Sequence, residues 1–188
     1  MVLVMLIVPG IVLAAGFLLL GWRSVQGDTP EVGAMAAAML VSPDGETVGV
    51  VMFTQLDAGV LVAADAKELP PGGHAFIIHE VGACAPDFAA AGDHFNPGDS
   101  RRGFIHPNWK LGRSVGAHGG DLPNIYAAAD GTARADFFTD AISLGAGADH
   151  SVFDANGSAI IIHEKPGAYA EEESDTGERL ACGVIQRS

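Results

Sequence analysis

The chain has 188 residues, 48% of them hydrophobic, which is enough for one packed domain with a tail and excludes a disordered polypeptide. A formal charge of -13 with only 10 Lys and Arg excludes the clustered cations that non-specific nucleic-acid or anionic-membrane binding requires. With 25 Gly, 10 Pro and few helical windows after residue 40, the chain is expected to be all-β, a sandwich or barrel of short strands joined by turns and long loops.

The opening "MVLVMLIVPGIVLAAGFLLLGWRS" is apolar and uncharged from Val2 to Leu20, long enough to cross a bilayer. It predicts an N-terminal apolar helix over residues 1–25, either a signal peptide lacking its basic start or a membrane anchor with Trp22 and Arg23 at the interface. Membrane contact is expected through this segment alone. One Arg after it weakly favours a cytoplasmic C-terminus, whereas a disulfide favours export, and the disulfide carries more weight. The expected location is therefore periplasmic or extracellular. Residues 26–34 read as a linker and 35–188 as the folded domain.

Within that domain "AAAMLVSPDGETVGVVMFTQLDAGVLVAADAKEL" alternates apolar and polar residues around two turn signals, the pattern of antiparallel strands. "GGHAFIIHEVGAC", residues 72–84, holds a further strand over Gly72–Glu80, an apolar run with a histidine at each end and a cysteine beyond. Ala83 to Ala127 is rich in Gly, Pro, Asp and His without periodicity, and loops of that length carry function or are held by ligands. Strands resume at "TARADFFTD" and "SAIIIHEK", with "DANGS" expected as a hairpin turn between "HSVF" and "AIIIH". The segment "PGAYAEEESDTGERLACGVIQ" is a polar loop leading to a last short strand.

Cys84 and Cys182 lie far apart with no CxxC spacing, so they form either one disulfide in an oxidising compartment or two unrelated buried thiols. Closing a loop of roughly 100 residues would stabilise the fold by about 4–5 kcal/mol in the chain-entropy picture. Of the seven histidines, His74, His79, His94, His106, His118 and His163 sit at strand ends or in the long loop. Neutral imidazole is the commonest metal ligand, and zinc accepts three such nitrogens with one carboxylate. "GDHFNPGDSRRGFIHPNWKLGRSVGAHGGDLPN" supplies that set in His94, His106, His118 and Asp121; the alternative is exposed loop histidines that share no ion.

"HAFIIHE", "GDHFNP", "HGGDLPN", "SAIIIHEK" and "GERLACGVI", in that order, resemble the signature segments of copper/zinc superoxide dismutases. The resemblance spans most of the chain after about residue 35. It implies a Greek-key β-barrel whose zinc and electrostatic loops cover a bimetallic site, and a disulfide between Cys84 and Cys182. It also places zinc on His94, His106, His118 and Asp121 and copper on His79, His94 and His163, with His94 bridging the two ions.

The fourth copper position falls on Ile77, because the family pattern HxFHxH here reads His74, Ile77, His79. In a strand, residues 77 and 79 share a face and residue 74 has the opposite parity, so His74 cannot stand in for the missing imidazole; the resemblance implies a structural histidine there. A second departure lies at Gly167, where the family has an aspartate linking a copper ligand to a zinc ligand by hydrogen bonds; Glu171–Glu173 are candidate substitutes. Arg179 matches the arginine that attracts superoxide, with pairing to Glu178 or the EEES run as the alternative. A protein this acidic needs a locally positive funnel for a small anion, which here depends on Arg179 and the metals. His150 has no implied metal role and is expected to be an exposed loop residue.

Two functions follow. One is dismutation of superoxide to O2 and H2O2 with zinc bound and an impaired copper site, since opening the bridge to His94 would leave copper two imidazoles. The other is a non-catalytic zinc-binding module of the same fold, or a metal-handling protein. Haem held between His79 and His163 is a third possibility without positive sequence support, and a homodimer remains open.

Overall fold

The computed structural model describes residues 31–100, 118–170 and 175–188. The expected N-terminal helix, His106 and the EEES run lie outside them. No helix among the described residues is long and apolar enough to cross a membrane.

The described strands are β1 (Met35–Val41), β2 (Thr47–Leu56), β3 (Gly59–Ala66), β4 (Gly72–His74), β5 (Phe76–His79), β6 (Ile125–Ala127), β7 (Ala133–Thr139), β8 (Ala159–His163), β9 (Arg179–Val184) and β10 (Gln186–Arg187). They form one eight-stranded sheet in the order β5-β8-β9-β1-β2-β3-β7, with β10 added to β1. All of its pairings are antiparallel. A small second sheet pairs β4 with β6. β4 and β5 are separated only by Ala75, so one length of chain passes between the two sheets there.

Period-two alternation decides which face is buried. Ala36, Ala38 and Leu40 of β1, Val51 and Phe53 of β2, and Val60 and Val62 of β3 are fully buried in the main core, while the residues between them are exposed or half-buried. The β1–β2 turn closes at "SPDG", where Gly45 takes a φ of 84° and donates to Ser42 at 2.9 Å.

β5 and β8 break the alternation, because every residue of both is buried. A strand covered on both faces reads as a continuous apolar run, as "AFII" and "AIII" do. Phe76, Ile78, Ile160 and Ile162 face the main core. Ala159, Ile161 and Cys182 turn outward and pack under Ala91 and Phe88 of a single 3-10 turn, Phe88–Ala91. The disulfide joins Cys84 to Cys182 with Cα atoms 5.9 Å apart and ties that turn's segment to β9.

The expected hairpin at "DANGS" does not form. Gly157 donates to Asp154 at 3.3 Å in a turn, but Ser151 preceding it makes a parallel bridge with Ser143 and no ladder with β8. Buried Gln55 organises this region instead, accepting from the Leu144 N–H at 2.9 Å and donating to the Gly59 carbonyl at 3.0 Å. A side-chain amide bonded to three backbone groups, the Leu56 and Gly59 carbonyls and the Leu144 N–H, leaves no trace in hydrophobic periodicity.

Candidate metal centre

β5 lies at one end of the sheet order, and an edge strand offers unpaired backbone groups. Two stretches of the long loop take them up: Ile78 N–H donates to Gly120 at 2.9 Å, and Phe95 N–H donates to Ile78 at 2.9 Å. Gly120 N–H donates to Phe95 at 2.8 Å, so the two stretches also hold each other. Isolated bridges consequently set His94 beside His79 and Asp121 beside Ile77.

This docking gathers His94, His118 and Asp121, whose donor atoms all lie within 4.8 Å of one another. His94 Nδ1 is 2.8 Å from Asp121 Oδ1, and Asp121 Oδ2 accepts from the His118 backbone N–H at 3.2 Å. Two imidazoles and a carboxylate, all half-buried, are a donor set that suits zinc.

On the other side of His94 stand His79 and His163. Ring centroids are 5.3 Å apart for His79 and His94, 5.5 Å for His79 and His163, and 5.6 Å for His94 and His118. His94 therefore sits between the two groups. His79 Nδ1 donates to the Gly92 carbonyl at 2.9 Å, which leaves the lone pair on Nε2, 3.3 Å from His163 Nε2. His163 Nδ1 meets the Thr176 hydroxyl at 3.1 Å. Burial is the largest cause that lowers the pKa of His79 to about 3 and of His163 to about 4, with the Arg179 charge adding to both. Both rings are thus neutral at physiological pH, the form that binds a metal.

Ile77 is 5% exposed and pairs with Ile161 on one side and Asp121 on the other. It is a buried hydrocarbon at the position for which the sequence resemblance implied an imidazole. His74 is buried, with Nδ1 2.8 Å from the His163 carbonyl and Nε2 2.7 Å from that of Pro70, so it straps backbone together on the opposite side. The second implied set thus consists of His79, His163 and the shared His94. His79 and His163 bring their Nε2 atoms to 3.3 Å, but among the described residues only His94, His118 and Asp121 gather all their donor atoms within 4.8 Å of one another, so this second set is one imidazole short and less closely drawn together.

Arg179 donates from Nη1 to the Phe88 carbonyl and from Nη2 to the Gly92 carbonyl at 2.8 Å. Gly92 therefore receives both Arg179 and His79, which fixes the guanidinium beside the imidazole pair. Burial lowers the arginine pKa, while Asp93 and Asp87 oppose that shift. His150 is exposed.

At position 167 the structure supplies a contact that the sequence did not disclose. Gly167 N–H donates to Asn124 Oδ1 at 2.9 Å, and Asn124 Nδ2 donates back to the Gly167 carbonyl at 3.0 Å. The Asn124 backbone N–H donates to the Tyr169 hydroxyl at 2.7 Å. Asn124 ends "HGGDLPN" and Tyr169 ends "PGAY", but nothing in either string indicates that they meet.

The profile described as copper/zinc superoxide dismutase (SODC) matches residues 47–185. The chain belongs to this family. Superoxide dismutase [Cu-Zn] 2 of Aquifex aeolicus is 37% identical over 154 residues, covering 80% of this chain and 86% of that protein. Superoxide dismutase-like protein YojM of Bacillus subtilis is 36% identical over 150 residues, covering 78% of this chain and 73% of that one. A double mutant of a SOD-like protein from Bacillus subtilis superposes with a TM-score of 0.71 at 37% identity, covering 79% of this chain and 95% of that structure. The curled antiparallel sheet is thus the family's Greek-key barrel, and the family binds copper and zinc and acts on superoxide.

Proposed function

We propose that this chain is an exported member of the copper/zinc superoxide dismutase family that holds zinc firmly and dismutates superoxide weakly, because its copper position lacks one donor. The observation that carries this reading is Ile77, buried between Ile161 and Asp121 on the face it shares with His79. Zinc would be held by His94, His118 and Asp121 with His106 as the fourth donor, and copper by His79, His94 and His163. When bound, copper supplies a one-electron couple that oxidises one superoxide to O2 and reduces a second, with two protons, to H2O2.

The chain's own residues act around that couple. Gly92 fixes the His79 tautomer, Thr176 steadies His163, and Arg179 offers the positive charge that draws in the anion. Asp87 and Asp93 close to the guanidinium weaken its pull. The disulfide supports export, since such bonds persist in oxidising compartments.

The second reading, a non-catalytic zinc module or a metal-handling protein, draws on the same hydrocarbon and on the likeness to the Bacillus subtilis protein named superoxide dismutase-like. Metal content after purification, measured with specific activity, separates the two. Zinc near one per chain with some copper and low activity fits the first, zinc without copper or activity fits the second, and full copper with a normal family rate overturns the incomplete-site reading.

A further inference from the structure

The metal-donor loop lacks the carboxylate at position 167 that would tie it to the copper side, yet it is tied to the chain beyond β8 all the same. Asn124, three residues past Asp121, is 7% exposed, and its side-chain amide engages both the N–H and the carbonyl of Gly167, four residues past His163. Its own backbone N–H ends on the Tyr169 hydroxyl at 2.7 Å. Tyr169 has a φ of 59°, a left-handed conformation that a bulky residue adopts only where its surroundings over-determine it. The position pays in backbone strain for a phenol that reaches back to residue 124.

We propose that Asn124 and Tyr169 are positioning residues for the zinc-side donors, fixing loop 118–124 through its backbone in place of the missing carboxylate. The inference rests on the zinc reading above and adds residues to it. A carboxylate at 167 would orient imidazole rings directly, whereas this clamp carries no charge and holds main chain. Its consequences should therefore fall on zinc affinity and loop order, with copper affected only through the shared His94. The contacts on Gly120 fix one end of the loop, and the Asn124 contacts fix the other.

Tyr169→Phe removes one oxygen and leaves the ring. Zinc affinity measured by chelator competition should fall about tenfold or more, the scale at which outer hydrogen bonds tune metal sites. The d–d spectrum of the Co(II)-substituted protein should shift. In the metal-free protein the Asn124 amide should exchange hydrogen faster, while the denaturation midpoint barely moves. Asn124→Asp, which keeps the acceptor for Gly167 N–H and loses the donor, should bind zinc more tightly than Asn124→Ala. Wild-type affinity and exchange in Tyr169→Phe, or losses that merely follow global stability, would overturn the clamp. A wild-type protein that takes up no zinc would instead sink the functional reading, and the exchange measurement on metal-free protein would still decide the clamp.

Discussion

The sec-butyl group at position 77 offers no donor nitrogen and suits the fold, because Ile161 beside it welcomes hydrocarbon. The Ile77→His variant should raise copper to near one per chain and raise dismutase activity at least tenfold, read by metal analysis and an indirect superoxide assay. Its metal-free form should lose about 1–3 kcal/mol, the cost of a buried polar group left without a partner. Gly167→Asp added to it has room, since a Cβ there would meet Asn124 Oδ1 at 3.5 Å and Ala75 Cβ at 3.7 Å. Histidine titration gives a second residue-scale prediction. His79 and His163 have pKa values of about 3 and about 4, below the ordinary 6.5, so the unfolded chain binds protons first as pH falls. The metal-free protein should therefore hold its full stability above pH 6.5 and lose it progressively as pH drops towards 4 and then 3. At about 1.4 kcal/mol per pH unit for each ring, the loss should approach roughly 8 kcal/mol by the acid end of that range, measurable by urea unfolding.

Among the elements, β5 does most to place the site, because it presents side chains on one face and an open edge to the loop. Gly120 lies against that edge, and a Cβ there would collide with the Ile78 carbonyl oxygen. Gly120→Ala should force the loop off β5, separate Asp121 from His94 and weaken zinc binding by at least tenfold, the effect expected when a supporting contact of a metal site is lost. Circular dichroism should show the remaining strands intact. Alternation made β1 to β3 legible, and β5 and β8 fall in expected strands, but their burial on both faces was not read from the sequence, the strand expected over Gly72–Glu80 divides into β4 and β5, and β6 forms inside the expected loop. The failure at "DANGS" is instructive, since its turn residues are genuine but the preceding "HSVF" is held by bonds around Ser143, with Gln55 organising the neighbouring backbone. The candidate donors were visible as motifs, whereas the meeting of His94 with Asp121 spans 27 residues and the Asn124 contacts span 43 to 45, which no local pattern encodes.

Across the whole molecule, the two halves of the site rely on different anchors. The zinc-side donors dock on β5 through Gly120 and on the chain after β8 through Asn124. The copper side relies on the 3-10 turn segment, whose Phe88 and Gly92 carbonyls hold Arg179 and His79 and whose attachment to β9 is the Cys84–Cys182 disulfide. Cutting that bond frees a loop with a sequence separation of 98, which should cost about 4–5 kcal/mol by loop-closure entropy. A Cys84→Ala, Cys182→Ala double variant should accordingly unfold at markedly lower urea. Zinc affinity under native conditions should change little, because neither anchor of the donor loop passes through the disulfide. Copper uptake and any residual activity should fall further than zinc does, as the turn bearing Gly92 loosens and releases both the His79 tautomer and the guanidinium. Equal losses of both metals would show that the turn and the donor loop form one cooperative unit, and an unchanged urea midpoint would remove the disulfide as the brace of the copper side.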